Sequence, residues 1–484
     1  MFRLTSTNRQ CDGCTRPRRR VTSWVFILSV SLFLNASVVA AADRLVLISP
    51  HWEGIKYEFE RAFKAQYHLE TGRTVDLEWL DVGGTSEVLR FLRSEYNNKP
   101  AGVGIDIMFG GGLDPYLALK KENLLESYIL PQQLREKIPP KLGGVPLYDP
   151  GYTWYGATLS GFGIVYNKAV LQLTKLPVIS TWEGLASPKA FGWVGSSDPR
   201  KSGSVHVVYE IILQAYGWER GWQIITGLGA NVRNFTNSAS QVPKDVAIGE
   251  VAYGLAIDFY AWAQVNEAGA DKIGFVMPDN LTMITPDGIG ILKGAPNRPV
   301  AESFIRFVMS APGQKLWLWA KGAVGGPQRY QLNRFSVLPS LYELSPQSTA
   351  VKLNPFSWHS DFAFDETLGT TRWGIVNDLV GTLVIEPKEL LSQAWKVALV
   401  DGLTEQEWQK LAAMPLSAAE ALNLAKNKWQ DPAFRNQKLI EWSQFARAKY
   451  QTGVRPPAIR SEWLSLIAPV LIAFVLIMYS RNSG

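Results

Sequence analysis

The chain has 484 residues, 46% of them hydrophobic and 19% charged, with 41 glycines and 28 prolines. That balance excludes a disordered, collagenous or coiled-coil protein, and the length suits about three domains. The net charge of +6 belongs mostly to residues 1–42, which hold six arginines and one acid; the remainder is near neutral, which removes the case for nucleic acid as a partner.

Residues 1–42 read as a signal peptide. Arg16, Arg18, Arg19 and Arg20 supply a positive start, Trp24–Leu34 an apolar stretch, and Ala40-Ala41-Ala42 a small-residue cleavage site. Cys11 and Cys14, the two cysteines of the sequence, both precede the apolar stretch. The mature chain therefore has neither a disulfide nor a thiol nucleophile, and export to the periplasm is expected.

Strands and helices then alternate. Leu45–Ile48 is a short apolar strand, and Ile55, Phe59, Ala62 and Phe63 share one helical face. Val75, Leu77 and Trp79 alternate with acids in a second strand; Val88, Leu89, Phe91 and Leu92 mark a helix; Ile105–Phe109 is a third strand. Asp114-Pro115 opens the next helix as N-cap and first-turn proline. This order predicts a parallel sheet covered on both faces, with ligands beyond the carboxyl ends of its strands. Those ends carry Ser49-Pro50-His51, then Gly84-Thr85-Ser86, then Gly110-Gly111-Gly112. Small and hydroxyl residues at helix starts leave free N–H groups that suit an anion, or serve simply as caps.

The pattern restarts near residue 155. Ala157–Asn167, which contains Ser160, reads as a pair of strand pieces softened by glycine. Phe191–Gly195 is a strand, and Ser202-Gly203-Ser204 begins a helix through Val207, Val208, Ile211 and Ile212. Val232–Phe235 runs into Ser238-Ala239-Ser240, and Tyr253–Ile257 into Asp258-Phe259-Tyr260. Ile273–Ile291 returns to the first sheet, and helices near Ala301–Met309 and Pro312–Ala320 close it.

From about 340 to 460 the chain is mainly helical. Thr404-x-x-Glu407 and Ser417-x-x-Glu420 are capping boxes, and Asp431-Pro432 opens a third helix. Finally, Trp463–Tyr479 is a run of 17 residues without a charge, bracketed by aromatics and followed by Arg481. It reads as a transmembrane tail helix that tethers the exported body to the inner membrane.

Several segments carry a family resemblance in their order along the chain. They include Asp106-Ile107-Met108-Phe109-Gly110-Gly111-Gly112, Gly163-Ile164-Val165-Tyr166-Asn167-Lys168 and Thr181-Trp182-Glu183-Gly184-Leu185. Asp198-Pro199-Arg200-Lys201-Ser202-Gly203-Ser204 and Ala311-Pro312-Gly313-Gln314-Lys315 follow. Residues 43 to about 340 resemble the periplasmic solute-binding proteins of ABC importers, in the branch that includes the ferric-ion-binding proteins. The resemblance implies an α/β fold of two doubly wound lobes joined by hinge strands, with the ligand in the cleft. It places residues 43–155 with 275–340 in the first lobe and 156–274 in the second; it says nothing about the helical appendage 341–460 or the tail helix 463–479, which are read from the residues. It also implies an importer permease as partner. Ferric binders in that branch use a His, a Glu and a Tyr pair. Here His51 keeps its place, a glycine of 110–112 replaces the Glu, and Phe259-Tyr260 replaces the pair. Fe(III) prefers anionic oxygen donors, so no metal or other cofactor is expected, and the triple glycine is expected to let backbone approach a bulkier ligand.

The candidate ligand-binding residues are Ser49, His51, Gly84, Thr85, Ser86, Gly110, Gly111, Ser160, Ser202, Ser204, Ser238, Asp258 and Tyr260. The expected solute is a small organic anion. Three alternatives stay open: a tethered sensor, a ferric binder, or an enzyme using Asp258 or His51 as base. The sequence has no G-x-S-x-G and no H-E-x-x-H, and His51, His68, His206 and His359 lack metal-ligand spacing. A binding protein rather than an enzyme is the expectation.

Overall fold

The computed structural model describes residues 42–344, 348–351 and 353–453. The expected signal peptide and the apolar run 463–479 lie outside the described residues. The first strands are β1 (Asp43–Ile48), β2 (Val75–Leu80) and β3 (Ile107–Phe109), all parallel, with β1 in the middle. Their apolar runs serve both faces, because successive side chains point to opposite sides of a sheet. Leu45, Leu47, Ile107 and Phe109 enter one core, while Val46, Ile48 and Met108 enter the other. Between the strands run α1 (Glu53–Thr71) and α2 (Thr85–Asn98), and α3 (Asp114–Lys121) follows β3. Asp114 is not the N-cap of α3: Leu113 holds that place, and the Asp114 carboxylate serves a distant partner described below.

Residues 155–167 form one continuous strand, β4 (Tyr155–Asn167), rather than the expected pair of pieces. Its glycines serve close approach: a Cβ on Gly161 would stand 2.6 Å from Met277 Cε, and one on Gly163 would stand 2.2 Å from the Val276 carbonyl oxygen. The second group of strands is β5 (Val194–Ser197), β6 (Val232–Thr236), β7 (Tyr253–Ile257) and β8 (Ile273–Val276). The long return strand is β9 (Ile284–Leu292). The sheet runs β2-β1-β3-β9-β4-β7-β5-β6, with β8 also on β4. Strand β4 changes partners midway: Tyr155–Gly161 pairs with β9, and Phe162–Tyr166 pairs with β7. Tyr155, Ala157 and Leu159 accordingly pack in the first core, Phe162 and Ile164 in a second.

Helices α4 (Gly203–Tyr216), α5 (Trp218–Asn231), α6 (Gln241–Ala247) and α7 (Asp258–Ala268) flank the second group of strands. Helices α8 (Arg298–Met309) and α9 (Ala311–Leu318) return to the first. The C-terminal helices are α10 (Glu366–Val380), α11 (Lys388–Val400), α12 (Glu405–Leu411), α13 (Ala418–Asn427) and α14 (Pro432–Gly453). Both expected capping boxes form, at Thr404 with Glu407 and at Ser417 with Glu420.

These helices share the second core. Ile375, Leu379, Leu383, Trp395 and Tyr450 pack in one cluster with Ile211, Leu228 and Tyr253. Helix α5 makes room for them with glycine. A Cβ on Gly229 would stand 2.2 Å from Val384 Cγ1, and one on Gly227 would stand 3.1 Å from the Trp395 ring. The segment before α10 crosses from one core to the other. Leu353, Phe356 and Trp358 pack on the first, Phe362 and Phe364 on the second. The crossing is pinned beside the β8–β9 connection by Asp361 N–H donating to Asn280 Oδ1 (2.9 Å).

Candidate functional site

A cleft of about 580 Å³ lies between the two groups of strands. Its floor is a buried ionic cluster. The Arg334 side chain is 1% exposed, and its Nη1 lies 2.6 Å from Asp287 Oδ2. Arg334 Nη2 donates to Ser160 Oγ (2.7 Å), and its guanidinium sits 4.3 Å from the Phe259 ring centre. His51 Nε2 is 3.1 Å from the same Asp287 oxygen, and Gly112 N–H donates to Asp287 Oδ1 (2.7 Å). Burial would raise the Asp287 carboxyl, but the Arg334 charge and the His51 bond outweigh it and hold it well below the usual range. Burial dominates for His51 and pushes its imidazole below the ordinary value, so it is neutral at pH 7.

Two helix starts form one wall. Ser202 caps α4, its Oγ accepting from Val205 N–H at 3.4 Å and lying 3.3 Å from Ser204 Oγ. Opposite stand Gly84 and Thr85 at the start of α2. A Cβ on Gly203 would be 3.1 Å from Thr85 Oγ1, and one on Gly84 would be 2.3 Å from the Lys201 carbonyl oxygen. The two ends therefore meet closely, with first-turn N–H groups that have no acceptor within their own helices. Ser238 lies nearby, its Oγ 2.9 Å from Ser240 Oγ, and Tyr260 closes a corner. Burial pushes the Tyr260 phenol up to about 12, so it stays protonated and can donate.

Five acids line the cleft, Asp81, Glu87, Asp114, Asp287 and Glu366, against Lys201 and Arg334. Four have partners, Asp114 through Thr370 Oγ1 (2.8 Å), and a cation offsets two of them. Lys56 Nζ donates to Asp81 (2.8 Å), Gly84 N–H donates to Glu87 (2.8 Å), and Arg334 holds Asp287. Burial pushes Asp114 up to about 7 and raises Glu366 as well.

The cleft thus brings together His51, Gly84, Thr85, Gly111, Ser160, Ser202, Ser204, Ser238 and Tyr260. Ser49, Ser86, Gly110 and Asp258 stand outside its lining. Ser49 Oγ accepts from His51 N–H (3.1 Å), and Ser86 faces a smaller cavity of about 370 Å³. Gly110 is glycine for the sake of His51. Its φ is +92°, and a Cβ would stand 2.4 Å from the imidazole, so the close approach is to a side chain and not to a ligand. Asp258 is fully buried; its carboxylate accepts from Gly161 N–H (3.0 Å) and Phe259 N–H (2.7 Å), joining the bend of β4 to the start of α7.

Sequence reasoning missed Asp287, Arg334, Phe364, Glu366 and Trp373, all of which line the cleft. Asp287 left a signal, as the lone charge in the apolar strand Ile284–Leu292. Arg334 left none: it stands outside any helix or strand. Among the described residues no group of three or more His, Cys, Asp or Glu could hold a metal ion. Nor is any helix among them long and apolar enough to cross a membrane.

A sheet split around one partner-switching strand, β4, with a lined cleft beside it, has known counterparts. Residues 114–327 match the family model described as bacterial extracellular solute-binding protein. The structure of the periplasmic binding protein AfuA from Actinobacillus pleuropneumoniae, with fructose-6-phosphate bound, superposes with a TM-score of 0.55 at 20% identity. The match covers 73% of this chain and 97% of that one. The chain has the two-lobe fold of periplasmic solute-binding proteins. The resemblance read from the sequence is thereby borne out, and the C-terminal helices are an addition to that fold. Among curated relatives, Phosphoglycerate transport regulatory protein PgtC of Salmonella typhimurium is 26% identical over 164 residues, covering 34% of this chain. The chain spans only 40% of that relative's length. Iron uptake protein A1 of Synechocystis is 26% identical over 284 residues, covering 53% of this chain and 70% of the relative. The family model is one of extracellular solute-binding proteins, and the AfuA neighbour is a periplasmic binding protein.

Proposed function

We propose that the protein is an exported receptor that captures a small organic anion between its lobes, 43–155 with 275–340 and 156–274, and presents it to an ABC importer permease. The observation that carries this reading is the meeting of the α2 and α4 starts across the cleft, at Thr85 and Gly203. Free N–H groups and hydroxyls there stabilise negative charge without a lysine or arginine. Two relatives point the same way in name, one for phosphoglycerate transport and one holding fructose-6-phosphate. A ferric ion fits less well, since His51 Nε2 is taken by Asp287 and Arg334, and the resemblance implies an acid where this chain has a glycine of 110–112.

Mass spectrometry of small molecules released from the denatured protein should identify a phosphate-, phosphonate- or carboxylate-bearing solute, recovered unchanged. One tightly bound equivalent of ferric ion would overturn the reading. Thr85→Ala and Ser202→Ala should each weaken solute binding by about 1.5–3 kcal/mol if the hydroxyl donates to a charged group. Melting temperature, measured in parallel, separates this from loss of a cap, which would lower stability and leave affinity intact.

The run 463–479 is our proposed tether. Deleting the chain from Arg460 onward should release soluble protein from washed membranes; retention of the shortened chain in high salt would contradict the tether.

A further inference from the structure

The cleft has a wall that the two lobes do not supply. Phe364, Glu366 and Trp373, from the start of α10 and the segment leading into it, line it directly. Helix α10 is fixed to the second lobe. Arg372 and Glu210 form a buried pair, with Nε donating at 2.9 and 3.0 Å, and His206 Nδ1 lies 2.6 Å from Asn377 Oδ1. The Trp373 ring lies against His206 with centres 3.8 Å apart, and Ile375, Val376 and Leu379 sit in the second core. Toward the first lobe the connection is different in kind. Thr370 Oγ1 donates to Asp114 Oδ1 (2.8 Å), at the first turn of α3. Around that bond lies the smaller cavity, where Ser86 and Arg90 of α2 face Thr370 and Trp373. Toward the second lobe α10 buries apolar residues and an ion pair in a core, whereas toward the first it runs along α3 with the Thr370–Asp114 bond beside a cavity and no residue in that lobe's core. When lobes separate, the weaker contact is the one that parts.

We propose that the helical appendage is a working part of the binding site: α10 supplies its third wall and latches the lobes through Thr370 and Asp114, so that this contact governs solute exchange. The proposal rests on reading the cleft as the solute site. Solute enters or leaves only when Trp373 and Glu366 swing away from α3 together with the second lobe. A solute seated against the α2 and α4 starts would also touch Phe364 and Trp373, so the appendage contributes to selection.

The test uses the full chain and two variants, Thr370→Val and Asp114→Ala, with Thr367→Val on the exposed side of α10 as control. Without solute, amide exchange at Thr85–Val88 and Gly203–Val205 should accelerate by about fivefold in both variants, the scale of one lost hydrogen bond. Exchange at Leu45–Ile48 should not change, which excludes general destabilisation, and the control should match the parent. With fructose 6-phosphate or 3-phosphoglycerate as probe, release should quicken by a similar factor in the two variants. Unchanged exchange at both helix starts in both variants overturns the latch. Accelerated exchange with neither probe bound by the parent leaves the latch standing and removes the anion reading instead.

Discussion

Arg334→Met should cost about 3–5 kcal/mol of stability, the usual consequence of removing one partner from a buried ion pair. The loss comes less from the missing attraction than from Asp287, left as a buried carboxylate between His51 and the cleft. In the parent, the depressed Asp287 pKa contributes stability that is present above the ordinary carboxylate range and is lost as pH falls through the folded value. Without Arg334 the sign reverses, because burial then raises the Asp287 carboxyl. The variant should therefore recover relative to the parent as pH drops from 7 toward 4. Urea unfolding at both pH values measures this, and Asp287→Asn added to Arg334→Met should restore part of the loss at pH 7. A penalty under about 1 kcal/mol, the range of surface pairs, would show that Arg334 is not held as a buried charge.

Gly84→Ala should hold the cleft open while leaving the fold intact. The φ of Gly84 is −75°, so alanine adds no backbone strain, and the change at an N-cap position costs at most about 1 kcal/mol. Its methyl would nevertheless stand 2.3 Å from the carbonyl oxygen of Lys201 in the other lobe. That neighbour is backbone and has no rotamer to escape by. Overpacking of this kind costs about 1–3 kcal/mol, and here it falls on the closed state only. Solute affinity should drop by about 5- to 150-fold, and small-angle scattering with saturating solute should give a larger radius of gyration than the parent. Normal compaction with unchanged affinity would mean that Gly84 and Lys201 do not meet in the ligand-bound protein.

What could be read from residues alone was whatever is written locally. The all-apolar Leu45–Ile48 announced a strand covered on both faces, and it feeds two cores. Ser202 and the pairs Thr404/Glu407 and Ser417/Glu420 announced helix starts, because a cap is a matter of three or four consecutive residues. Contacts between distant segments carried no such mark. The glycines of β4 looked like breaks, since sequence does not reveal that Met277 and Val276 crowd against them. Asp114 resembled a cap because its actual partner, Thr370, lies far along the chain. Asp258 looked like a ligand-facing acid and proves to be a brace, pushed up to about 7 by burial. Arg334 had no periodic neighbours to give it away, although it anchors the floor of the cleft.

One glycine of α5 bears on how such a protein could be rebuilt. Gly229 keeps the outer surface of the second lobe hollow, and Val384 and Leu391 fill the hollow. A lobe that stood free would gain by carrying a side chain there. This one is shaped as a socket, so the C-terminal helices are not cargo that can be exchanged between relatives. Grafting them onto a compact relative, or cutting this chain back to that size, would require recarving helix α5 in the same step. The two parts can change only together.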